Sequence, residues 1–338
     1  MTQTSPFDDF RALAYTPSPD TAAAVAATAA REATLTKPAG SLGRLEEIAA
    51  WLTAVTGRAP PKVDHPRVVV FAASHGVAER GVSAFPSSVN GQMLANFRAG
   101  KAAINQICGA YGIGLSVFDL AVDVPTGDIV ETDAFASERD TAATMAFGLE
   151  ATANRVDLLG LGEMGIGNTT VAAALCAAIL GGTGAEWVGP GTGLTGAALT
   201  AKAEAVDAAV ARIAGERDPL RILMRLGGRE IAAMVGAILA SRTQSVPVVI
   251  DGFVATSAAV VVHAMDPSAI SHCLFAHRSA ETAHGRALDA LGVAPLLDLG
   301  MRLGEGTGAA LAMSIVKAAA ACHSGMATFA EAGVDGPA

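Results

Sequence analysis

Short runs of apolar residues recur along this chain, at 67–73, 113–120, 156–161, 246–250 and 272–276, with 186–188 a weaker sixth, and they restrict the fold more than any other feature. Each main run is apolar throughout instead of alternating, and most lead into alanine-rich sequence of helix length. A strand that hides both faces needs helices on both sides of its sheet. The pattern therefore predicts a doubly wound, mostly parallel α/β sheet. Two helices are expected before the first run, at 18–32 and 41–56, split by Thr36-Lys37-Pro38-Ala39-Gly40 and closed by Pro60-Pro61. The sequence from 296 onward is helical with no strand to pair with it. Residues 1–62 plus 296–338 are thus expected to form a smaller helical domain over the ligand edge, with 63–295 as the large α/β domain.

Composition narrows the partners. With 338 residues and 51% hydrophobic content, the chain can bury a large core, and aromatics at 4% make that core one of closely approaching backbones. A formal charge of -9 and the absence of a basic run argue against nucleic acid and for a small molecule. The charge-free stretch 164–185 is broken by Gly165, Gly167, Asn168 and the Gly181-Gly182-Thr183-Gly184 cluster, so it does not read as a membrane span. Cys108, Cys176, Cys273 and Cys322 are scattered without CxxC spacing, as reduced core thiols would be. No basic and apolar leader opens the N-terminus, and a cytoplasmic protein is expected.

In a parallel sheet the ligand lies beyond the carboxyl ends of the strands. Two glycine-rich segments there each carry one glutamate: Gly162-Glu163-Met164-Gly165-Ile166-Gly167-Asn168-Thr169-Thr170 and Leu303-Gly304-Glu305-Gly306-Thr307-Gly308. Both run into helical sequence, which sets a carboxylate beside bare amides at a helix start, where anions bind. The first segment almost has P-loop spacing, but Asn168 holds the lysine position, so amides and hydroxyls suited to a monophosphate remain without the cation a triphosphate needs. Gly189-Pro190-Gly191-Thr192-Gly193 opens a further helix that carries Lys202 about two turns in. Glu305, among glycines, reads as a carboxylate placed to accept a proton. His263, His272, His277 and His284 lack metal-ligand spacing, and His75 follows a strand without a nucleophile elbow beside it.

Read in order, Lys37-Pro38-Ala39-Gly40-Ser41-Leu42-Gly43-Arg44-Leu45-Glu46, Ala73-Ser74-His75-Gly76-Val77 with Gly81-Val82-Ser83, the 162–170 segment, Gly191-Thr192-Gly193, Asp251-Gly252-Phe253, His277-Arg278-Ser279-Ala280-Glu281 and Leu299-Gly300-Met301-Arg302 with the 303–308 segment closely resemble the nicotinate-nucleotide:dimethylbenzimidazole phosphoribosyltransferases. The resemblance implies transfer of the phosphoribosyl group of nicotinate mononucleotide to 5,6-dimethylbenzimidazole, a step in building the lower ligand of cobalamin. It implies a Rossmann-like sheet, a homodimer and no cofactor or obligatory metal. It places the catalytic base at Glu305, with Glu163 as a second carboxylate near the ribose. Phosphate and ribose would fall to Gly165, Gly167, Asn168, Thr169, Gly191, Thr192, Gly193, Lys202, Asp251 and Ser279, and the base pocket to Ser83, Gln92, Met164 and Leu303. Two rivals are a nucleotide- or sugar-phosphate kinase using the P-loop-like turn and a non-catalytic nucleotide-sensing module.

Overall fold

The computed structural model describes residues 5–153 and 155–336. Five strands form one sheet: β1 (Pro66–Ala72), β2 (Gly114–Asp119), β3 (Leu158–Met164), β4 (Val248–Ile250) and β5 (Cys273–Phe275). Every pair is parallel and the spatial order is β2-β1-β3-β4-β5. The chain steps outward from β1 to β2 and then returns to the other side of β1 with β3. That reversal opens a crevice beyond the carboxyl ends of β1 and β3, the place where such sheets bind ligands. In register, Ala72 stands beside Met164, so Ser74-His75 and Gly165-Ile166 leave the sheet together.

Alternate side chains of each strand enter two separate cores. Val69, Phe71, Leu159, Leu161, Val248, Ile250 and Phe275 point to one face, against the helices Asn168–Leu180, Arg229–Thr243, Phe253–Met265 and Thr282–Leu291. Val68, Val70, Leu158, Val249 and Leu274 point to the other, against Arg44–Thr56, Ala103–Tyr111 and Thr307–Gly325. This double burial is why the strands are apolar without alternation. Edge strand β2 is only half-buried, and there Phe118 stacks on Phe71 with ring centroids 5.5 Å apart. The helices Ala22–Glu32 and Arg44–Thr56 pack on each other, and Thr307–Gly325 lies across Arg44–Thr56, so both chain ends share one layer over the sheet. A short helix, Asp8–Ala14, buries Phe10 and Ala14 on the opposite face.

The weak sixth run does not form a strand. Gly184–Trp187 is a helical turn, because Glu186 accepts from the Thr183 amide at 2.7 Å in a capping box and Trp187 turns inward to 1% exposure. The charge-free stretch supplies the helix Asn168–Leu180, whose residues from Thr170 to Ala177 are buried in the core. Among the described residues, no helix is long and apolar enough to cross a membrane. All four cysteines are free thiols.

Candidate active site

The crevice is walled by two glycine turns laid against each other. Strand β3 runs out into Gly165-Ile166-Gly167, and Gly167, at φ 93°, turns the chain into the helix Asn168–Leu180. The turn is pinned from the β1 side, where the Ile166 amide donates to Asn90 Oδ1 at 2.9 Å and Asn90 Nδ2 donates to Ser74 Oγ at 2.7 Å. The second turn holds three successive residues in the left-handed region: Gly304 at 84°, Glu305 at 62° and Gly306 at 78°. A glutamate there is strained by about 1–2 kcal/mol, and such strain persists only where the surroundings enforce it. Here the Glu305 amide donates to the Glu163 carbonyl at 3.1 Å. Bare α-carbons allow this approach, since a Cβ on Gly162 would collide with the Gly306 amide.

Behind the second turn lies Asp251, 1% exposed, whose Oδ1 accepts from the Ala309 amide at 2.7 Å. Burial pushes its carboxyl up to about 7, against the pull of the backbone amides of Ala309, Gly306 and Gly308. Asp251 therefore holds the start of the helix Thr307–Gly325, and with it Glu305, from below.

Both glutamates line a cavity of about 410 Å³. Burial, reinforced by the charges of Asp251 and Glu230, pushes Glu163 up to about 8, and the Asn168 amide opposes the shift. Burial also raises Glu305, partly offset by the Ile104 amide. Glu305 Oε2 is buried with no hydrogen-bond partner among the described residues, an unpaired acceptor in the cavity wall. Asn168 Nδ2 donates to Glu163 Oε2, so the residue in the P-loop lysine position serves a carboxylate instead of a phosphate. The turn thus has no cation of its own at that position for a nucleoside triphosphate.

Of the residues singled out from sequence, Ser83, Glu163, Met164, Gly165, Gly167, Asn168, Thr169, Gly191, Thr192, Ser279, Leu303 and Glu305 share this cavity. Four others do not line it. Gln92 is exposed on the helix Val89–Arg98, which turns Val89 and Met93 inward, one helical turn apart on its cavity face. Gly193 lies on the outer side of its turn, exposed. Asp251 sits below the wall as described. Lys202 is fully buried behind it, with Nζ donating to Thr169 Oγ1 at 2.9 Å and to the Gly189 carbonyl at 3.2 Å. Burial lowers Lys202 to about 8, while the charge of Glu281 holds it up.

His75 also stays out of the cavity. It is enclosed under Gly165, with Nε2 2.8 Å from Glu230 Oε1 in a contact too poorly aligned to be a hydrogen bond. Conversely, the cavity takes in Arg302, Glu281, His277, Phe85 and Val82, to which no role fell from sequence. Arg302 had a signal, its position three residues before Glu305 in one glycine-rich loop. Among the described residues no cluster of three histidine, cysteine, aspartate or glutamate side chains could hold a metal ion.

A parallel α/β sheet with glycine turns at its switch point and a cavity lined by the carboxylates of Glu163, Glu281 and Glu305 has the layout of an enzyme of the doubly wound class. A model of a family described as phosphoribosyltransferase matches residues 16–334. The chain is 64% identical to a nicotinate-nucleotide–dimethylbenzimidazole phosphoribosyltransferase from Sinorhizobium medicae over 97% of both chains. It is 61% identical to one from Brucella anthropi over 98% of both. A crystal structure of the Thermus thermophilus protein of that name superposes with a TM-score of 0.87 at 39% identity, covering 94% of this chain and 99% of that one. The chain belongs to the nicotinate-nucleotide–dimethylbenzimidazole phosphoribosyltransferase family.

Proposed function

We propose that the enzyme moves the 5-phosphoribosyl group of nicotinate mononucleotide to 5,6-dimethylbenzimidazole, giving α-ribazole 5'-phosphate and nicotinate, in cobalamin lower-ligand assembly. The observation that carries this is Glu305: a buried carboxylate with a free acceptor oxygen, held in a strained conformation on the edge of a cavity lined by glycine turns. The leaving group is a pyridinium ring, which departs neutral at nitrogen and needs no general acid. The incoming benzimidazole attacks the anomeric carbon through one ring nitrogen and gives up the proton on the other. Glu305 takes that proton, and its raised affinity for protons suits the task. Glu163 lines the same cavity beside Glu305, where its carboxylate faces the positive charge that grows at the anomeric carbon. Attack opposite the leaving group inverts the β-nucleotide to an α-product.

The amides of Gly165, Gly167 and Gly191 with the Ser279 and Thr169 hydroxyls receive the ribose phosphate, and Lys202 supports them from behind through Thr169. Met164, Leu303, Val89 and Met93 give the acceptor base an apolar slot with Ser83 at its edge. We infer a homodimer as well: Phe85 and Leu303, at the cavity's rim, are 53% and 59% exposed, an apolar edge that a second copy would cover. Ala22–Glu32 and Arg44–Thr56 with Thr307–Gly325 serve as its smaller helical part, without the helix Asp8–Ala14, which packs on the other face, and unpaired thiols support a cytoplasmic location.

Incubation with nicotinate mononucleotide and a panel of bases, followed by chromatography, tests the reading. Nicotinate release matched by an α-configured ribazole phosphate is expected. Absence of base-dependent nicotinate release refutes it.

A further inference from the structure

Among the described residues that line the cavity, Arg302 is the one lysine or arginine, set against the carboxylates Glu163, Glu281 and Glu305. A mononucleotide brings a phosphate dianion into this acidic space. Lys202 cannot meet it directly, because its ammonium is enclosed and already bonded to Thr169 and the Gly189 carbonyl. Arg302 Nη1 donates to the Gly191 carbonyl at 2.6 Å. Lys202 Nζ approaches the same glycine from the other side, 2.9 Å from where a Cβ on Gly191 would sit. Gly191 therefore lies between two cations, one inside the wall and one at the cavity surface. A guanidinium has five N–H donors in a planar fork, and the Gly191 carbonyl takes one of them.

Resting on the phosphoribosyltransferase reading above, we propose that Arg302 is the cavity-side cation of the phosphate site, gripping the 5'-phosphate of the mononucleotide with the donors that its bond to Gly191 leaves open. Arg302 lies three residues before Glu305 on the same loop. Phosphate capture thus draws the loop that carries the base toward the Gly191 turn, and the reacting ribose is fixed from both sides.

Calorimetric binding to the wild-type protein, Arg302→Gln and Arg302→Lys tests this with three ligands: nicotinate mononucleotide, its 5'-dephospho nucleoside, and nicotinamide mononucleotide, which keeps the phosphate and lacks the ring carboxylate. Loss of a charge-assisted, forked contact should weaken both mononucleotides roughly ten- to a hundredfold in Arg302→Gln, and the nucleoside by less than about twofold. Arg302→Lys, which keeps the charge without the fork, should fall between. Retained nucleoside binding also certifies that the variant is folded. Equal weakening of all three ligands would reduce Arg302 to a loop latch and overturn the proposal. Weakening confined to nicotinate mononucleotide would assign Arg302 to the ring carboxylate and overturn it equally. A wild-type protein that binds neither mononucleotide is a different result, which sinks the phosphoribosyltransferase reading itself.

Discussion

The amide of Glu305 donates to the carbonyl of Glu163 across 3.1 Å, which ties the proposed base to the last turn of the central strand. The two carboxylates are thereby held on one rigid backbone junction, with Glu305 forced into the left-handed region to meet it. Replacing Glu305 by glutamine keeps the shape and removes the proton acceptor. The expected outcome is a loss in kcat on the order of a hundred- to ten-thousandfold, with the calorimetric affinity for nicotinate mononucleotide unchanged. A variant that turns over at the wild-type rate would leave Glu305 a structural residue and place the proton acceptor elsewhere.

Gly306 makes the same junction possible from the other side. Its φ is 78°, and a Cβ there would sit 2.7 Å from Val68 Cγ1 in the sheet. Gly306→Ala combines left-handed strain with overpacking, together about 2–5 kcal/mol. Urea denaturation should register that loss, and kcat should fall with it because Glu305 shifts. Wild-type stability in this variant would mean that the turn is free to move.

Much of this architecture was legible in the residues. The five main apolar runs mark the strands because burial on both faces suppresses alternation, and the glycine turns mark the carboxyl edge because close approach and positive φ exclude a Cβ. What escaped depends on direction. Asp251 and Lys202 follow from spacing as residues near the ligand edge, yet nothing local says that both side chains turn into the wall. Gln92 sits on the correct helix, but the register against the cavity admits Val89 and Met93 and leaves it outside. Glu186-Trp187-Val188 looks like a strand because tryptophan and valine favour one, and the capping box of Thr183 with Glu186 overrides that preference.

The pH dependence of kcat/KM should be bell-shaped. Glu305 accepts a proton only when ionised, and burial raises its pKa above the ordinary 4.5, so activity climbs through a midpoint above that value. Lys202, lowered to about 8, is charged below that pH and neutral above it, so the phosphate site weakens and activity falls on the alkaline side. Steady-state profiles of the wild type and Lys202→Met check the assignment. The variant should have a lower kcat/KM near neutral pH and a flattened alkaline limb. An unchanged descending limb in Lys202→Met would show that the Lys202 ammonium does not set it.

Asp251 offers a separation of structure from charge. Its carboxyl stands at about 7 in the folded protein against 3.8 as the ordinary value, so the folded state holds a proton that the unfolded chain has released between those pH values. This group's contribution to stability is therefore most favourable below 3.8 and declines as pH rises toward 7. Asp251→Asn keeps an oxygen for the Ala309 amide and discards the buried charge. It should match or exceed the wild type in urea denaturation at about pH 8, and lose that advantage at acidic pH. Asp251→Ala strips the amide of its acceptor and should cost about 1–3 kcal/mol at either pH, with kcat reduced because the Glu305 turn loses its support. If the asparagine variant is as unstable as the alanine one, the ionised carboxylate itself holds the helix start, and the balance drawn here between burial and amide bonding is reversed.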